Sequence, residues 1–165
     1  ARMLWTKGPS EDRQLWPELT RAVLSQPAIS SLELRGKSIA LTAIADQTSS
    51  GLGASKTAIE RALTDGLRRQ HGGRLIDRSA LDQWLAEKGP GAGEYWALAV
   101  DEPGVGVRAL PSELRPDWIL VPVCITEERT KPEPYVVDRL ELKGLELSTL
   151  RYAKVTASRN RRPSK

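Results

Sequence analysis

Across the first ninety residues the apolar positions recur mostly at helical spacing. Leu15, Trp16, Leu19, Ala22 and Val23 place a stripe on one side of a helix whose first turn accommodates Pro17 and which Pro27 closes. Residues 32–34 and 38–40 flank Arg35-Gly36-Lys37 and suit a short hairpin. Residues 41–47 read as a short helix capped by Thr42, and Ser55 caps a second helix over 56–70 that Gly72-Gly73 ends. After Gly89-Pro90-Gly91-Ala92-Gly93 the pattern changes to short β-rich runs at 95–100, 105–110, 118–126 and 135–142. The first two flank Asp101-Glu102-Pro103-Gly104 and predict a hairpin, and Pro122 marks the third as an edge or bulged strand. The pattern therefore predicts an α+β chain, helical first and antiparallel β afterwards.

The helix over 55–70 carries two opposed faces. Ile59, Ala62, Leu63 and Leu67 form the apolar one. Thr57, Glu60, Arg61, Thr64 and Arg68 gather on the other, as a polar ridge with donors and acceptors every three or four residues. Arginine reads guanine bidentately, threonine contacts a thymine methyl or a phosphate, and glutamate accepts from cytosine, so the ridge suits a major groove. Any amphipathic surface helix shows a polar face too, and that plainer reading stands beside it.

The segment Leu41-Thr-Ala-Ile-Ala-Asp-Gln-Thr48, a turn, and Ser55-Lys-Thr-Ala-Ile-Glu-Arg-Ala-Leu63 resemble the two helices of a bacterial helix-turn-helix. The stretch that follows runs from Gly73-Arg74 to Gln83-Trp84-Leu85. It resembles the wing and final helix of the excisionase-like and MerR-like winged helix-turn-helix group. The resemblance covers residues 38–89 and implies duplex-DNA binding, with Thr57, Glu60, Arg61, Thr64 and Arg68 in the major groove and Arg74 and Arg78 at wing phosphates. One departure is plain: residues 45 to 55 span ten positions, more than such a turn uses. Winged helices also bind proteins, an alternative that stays open.

Charge refines this picture. The net charge is +4, yet residues 90–150 hold six basic and eleven acidic side chains, whereas 151–165 hold six basic and none acidic. The acidic β-rich segment suits a homodimer contact or a protein partner. The tail reads as a flexible basic arm, with Arg159, Arg161 and Arg162 on phosphates or simply solvated. The five tryptophans and three tyrosines read as core anchors, with base stacking by Tyr95 and Trp96 the minor alternative.

The chemistry of catalysis is thinly represented. One cysteine, Cys124 in an apolar run, and one histidine, His71, exclude an internal disulfide and a closed His/Cys zinc site, and leave no nucleophile motif near the histidine. Gly51-Leu52-Gly53-Ala54-Ser55-Lys56-Thr57 approaches a phosphate-binding loop, but Ser50 and Ser55 stand where both glycines of that motif belong. No apolar run reaches the ~18 residues of a membrane span.

The sequence thus predicts a winged helix-turn-helix domain over 10–89, a small antiparallel β-rich domain over 94–150 and a basic tail over 151–165. The expected role is that of a cytoplasmic, non-enzymatic duplex-DNA-binding protein, a transcription or mobile-element regulator without cofactor, metal or membrane partner. The second reading is a structural subunit of a larger nucleoprotein assembly, in which the same helix contacts RNA or protein.

Overall fold

The computed structural model describes residues 9–77, 79, 80, 83, 87 and 115–163. Its centre is a six-stranded mixed sheet. The strands are β1 (Ser38–Leu41), β2 (Ala45–Gln47), β3 (Arg74–Leu75), β4 (Trp118–Arg129), β5 (Tyr135–Glu146) and β6 (Arg151–Arg161). Their order is β3-β1-β4-β5-β6, with β2 also pairing with β4. The helices are α1 (Pro9–Leu24), the single turn α2 (Pro27–Ser30) and α3 (Ser55–Arg69). β1, β2 and β3 run parallel to their neighbours, while β4, β5 and β6 form an antiparallel meander. Parallel neighbours need a crossover, and α3 lies on the one from β1 to β3.

Alternation places one set of side chains on the helix-covered face. Trp118, Leu120 and Cys124 of β4, Leu140 and Leu142 of β5 and Val155 of β6 join one core with Leu15, Leu19 and Val23 of α1 and Ile59, Leu63 and Leu67 of α3. Ile119, Val123 and Leu145 fall on the opposite face by register and are buried as well. Burial on both faces explains why this stretch of β4 is continuously apolar rather than alternating. The helices approach closely at Gly66, where a Cβ would stand 2.3 Å from Leu24 Cδ1.

Of the two helices expected for a winged helix-turn-helix, the first is not formed. α3 exists, with its apolar stripe buried at Ile59, Leu63 and Leu67. Residues 41–47, expected as its partner helix, instead supply the end of β1 and all of β2. Seven residues are too few for periodicity to separate a buried strand from a helix, and pairing with β4 decides the matter. The long connection from 45 to 55 is accordingly a strand-to-helix loop. The expected wing at Gly73-Arg74 is β3, hydrogen-bonded parallel to β1. Ser55 begins α3 rather than capping it: the N-cap is Ala54, without a side-chain hydrogen bond.

Further expectations are corrected. The expected flexible tail is β6 through Arg161, paired along its length with β5. Pro122, expected on an edge or bulged strand, lies in the interior strand β4. β1 pairs with β4 up to Leu120 and β2 resumes at Val123, so the proline stands at the interruption between them, where a missing N–H costs no ladder bond. Pro17 falls inside α1, not in its first turn. Segments that the sequence set apart, 10–89, 94–150 and 151–165, each contribute strands to the one sheet. The hairpin expected over 95–110, with Tyr95 and Trp96, lies outside the described residues.

Candidate functional site

α3 and the β3 edge enclose an open groove of about 470 Å³. Thr57, Glu60, Arg61, Thr64 and Arg68 line one wall, so the ridge read from the sequence is brought together as a surface. Leu75, Ile76 and Asp77 form the other wall. Thr64 is turned back on the helix, donating from Oγ1 to the Glu60 carbonyl at 2.9 Å. Arg61 and Arg68 are exposed. Asp65 and Asp77 share the lining, so the groove is of mixed sign and is no continuous cationic track for a phosphate backbone. Along this edge the Arg74 N–H donates to the carbonyl of Lys37, just before β1, and the Ile76 N–H to that of Ile39 in β1, at 2.9 Å each. Arg74 projects as an exposed side chain, and Arg78 lies outside the described residues.

The arginines expected in the tail are held against the sheet. Arg161 Nε donates to Asp138 Oδ2 at 2.6 Å, and the Asp138 side chain is 2% exposed. Thr126 also donates to that carboxylate, at 3.2 Å. Arg159 pairs with Glu18 of α1. Arg162, just beyond β6, is exposed. A signal for this existed in the sequence: Ala153, Val155 and Ala157 alternate with polar residues at strand period. Asp138 is a buried carboxylate that no motif in the sequence marks, because its ion pair crosses between strands.

The loop between β2 and α3 is organised by Asp46. Its carboxylate accepts from the Thr48 N–H and the Leu52 N–H, both at 3.0 Å, and from the Thr48 hydroxyl. Burial opposes its ionisation, but these hydrogen bonds and the Lys56 charge outweigh that and hold the carboxyl below its usual range. A carboxylate thus takes up backbone donors that a phosphate would require, which removes the phosphate-loop reading of residues 51–57. Below it in the core, burial and the Asp46 charge push the Cys124 thiol up to about 12, so it stays protonated and unreactive. His71 Nε2 lies 2.9 Å from the Leu24 carbonyl and ties the end of α3 to the end of α1.

On the other face, Glu127 joins Arg129 and Arg139 across β4 and β5, each at 2.7 Å. Hydrogen bonds from Arg129 and Arg139 hold its carboxyl below the usual range. Arg139 Nε also lies 3.0 Å from Glu141. Among the described residues no group of three or more His, Cys, Asp or Glu side chains is placed to hold a metal ion.

Solved structures share this architecture. The C-terminal domain of LpoB from Salmonella enterica superposes with a TM-score of 0.58 at 11% identity, over 87% of this chain and 96% of that domain. The same domain from Escherichia coli gives 0.54 at 11% identity, over 87% and 98%. Lipoprotein GNA1162 from Neisseria meningitidis gives 0.48 at 9% identity, over 75% and 82%. No protein-family profile matches the chain, and no curated protein matches it.

These likenesses identify the fold as that of the LpoB C-terminal domain and correct the resemblance to excisionase-like and MerR-like winged helices. The duplex-DNA partner and the regulatory or nucleoprotein-assembly role were inferred from that resemblance. These and the expected cytoplasmic placement are overturned, since the solved structures that share the fold are LpoB C-terminal domains rather than winged-helix DNA-binding domains.

Proposed function

We propose that the chain is a non-catalytic protein-interaction module of the bacterial cell envelope. The observation that carries this reading is the fold, which spans nearly the whole of the LpoB C-terminal domain and most of this chain. Surface chemistry supports it: the α3 groove is open and of mixed charge, and the described cysteine is a buried, protonated thiol. Mixed-sign polar surfaces suit protein partners, where complementary charges set orientation and encounter rate.

The test is made on the full-length gene product in its own host. A carboxy-terminal fusion to alkaline phosphatase, which acquires its disulfides only outside the cytosol, is expected to be active. Chemical cross-linking in intact cells should give a discrete adduct with an envelope protein. An inactive but stable fusion, or the absence of any protein adduct, would sink the proposal.

A further inference from the structure

In the β5–β6 register Lys143 and Lys154 stand directly opposite one another. Side chains of such a pair start about 5 Å apart at Cβ, and like charges there work against the strand pairing. Neither ammonium group has an ion-pair or hydrogen-bond partner among the described residues. The nearby carboxylates are engaged elsewhere, Glu141 by Arg139 and Glu146 by Arg151. Elsewhere on the same two strands the pattern is the reverse, with Arg139, Arg159 and Arg161 each paired to a carboxylate.

Tyr152 lies on the same face, one alternation from Lys154, and is 49% exposed; Leu150, in the adjoining turn, is 47% exposed. They are the exposed large hydrophobic residues among those described. Leu150 also has a backbone φ of 58°, the left-handed region that favours glycine and strains a side chain with a Cβ. The turn and the start of β6 therefore hold two exposed apolar side chains, one on strained backbone, beside a pair of lysines without a compensating charge among the described residues. Folding alone selects against all three features. β6 is the outer strand of the sheet, and Tyr152 and Lys154 on it are exposed.

We infer that this end of the β5–β6 hairpin is a docking surface for an acidic segment of a protein partner. Carboxylates placed between Lys143 and Lys154 would relieve their repulsion, while Tyr152 and Leu150 supply the apolar contact that anchors an interface. A lipid surface fits less well. The lysines sit on the sheet face rather than at the tip, and the tip itself holds Glu146, bonded to Thr149 at 2.6 Å. The inference rests on the protein-interaction reading above and adds to it a surface and a partner chemistry.

The experiment uses the purified chain and a fluorescein-labelled peptide alternating glutamate with leucine, read by anisotropy at low salt. A matched peptide with glutamine for glutamate and vesicles of phosphatidylglycerol serve as the other probes. Saturable binding of the acidic peptide is expected, weakened about tenfold or more by Lys143→Gln with Lys154→Gln and by Tyr152→Ala. The glutamine peptide should not bind. The double lysine variant should melt no lower than the parent, because a repulsion has been removed, and that separates a binding defect from misfolding. Equal binding by parent and variant, no binding at all, or vesicles displacing the peptide would overturn the inference. If the peptide result fails while cross-linking in cells still yields an envelope protein, the surface is wrong and the protein-interaction role stands.

Discussion

α3 and β6 are both rich in arginine, and the sequence assigns both the same task of meeting phosphates. The structure uses them in opposite ways. Arg61 and Arg68 sit on the solvent side of α3, over an open groove. Arg159 and Arg161 fall on the helix-covered face of β6, with side-chain exposures of 21% and 15%, against Glu18 and Asp138. A helix with one apolar stripe keeps its polar residues on the far side. A strand returns every second residue to the same face, so a basic run in a strand is divided between solvent and interior. The lesson is that a count of positive charge describes a surface only once the periodicity of its segment is known.

The sharpest way to break this contrast is Arg161→Ala. It leaves the Asp138 carboxylate buried without its cation, and the expected loss is about 3–5 kcal/mol of unfolding free energy in urea titration. Asp138→Ala combined with Arg161→Ala should recover much of it, because no orphaned charge remains. A loss under about 1 kcal/mol for the single variant would mean that β6 is held as loosely as a tail.

Next in size is Gly66→Ala on the buried side of α3. Its added methyl meets Leu24 and should cost about 1–3 kcal/mol, despite the better helix propensity of alanine. A stabilised variant would show that α1 and α3 are not in contact there.

Asp46→Asn at the foot of α3 should cost about 0.5–1.5 kcal/mol at neutral pH. The sign with pH follows from the lowered value. The carboxylate contributes stability above its ordinary 3.8, and this is lost as pH falls through the lower folded value. The variant should therefore be less sensitive to acid than the parent over that range, as followed by circular dichroism.

The smallest effects complete the comparison. Arg61→Ala and Arg68→Ala on the exposed ridge should each change stability by less than about 0.5 kcal/mol. A folding defect at either position would place the ridge in a packed contact.

Much of the fold's material was readable and its assembly was not. α1 and α3 carry stripes long enough for their period to be unambiguous, and β4 and β5 announce themselves by β-branched runs. Residues 41–47 were misassigned because Leu41, Ala43, Ile44 and Ala45 are apolar without alternation and so mimic a short helix. Of the candidate site residues, the α3 group does share one groove, since helical spacing alone places those side chains together. The β6 group was misread because its carboxylate partners lie far away in the chain: Arg161 and Asp138 are 23 residues apart, and Glu18 belongs to another element.

The sequence by itself determined the two long helices, the β-rich character of the second half, the absence of an internal disulfide and the polarity of the α3 ridge. These depend on neighbours within a few residues, where period and residue type suffice. Tertiary structure alone decided that residues 39–41 and 45–47 pair with β4, that Pro122 stands at the break between β1 and β2, and that the basic end of the chain is a strand. It also decided which charges are neutralised and which, at Lys143 and Lys154, have no partner among the described residues. Each of those outcomes depends on a register between distant segments, and register is fixed by which face is buried against what, a quantity that no local pattern contains.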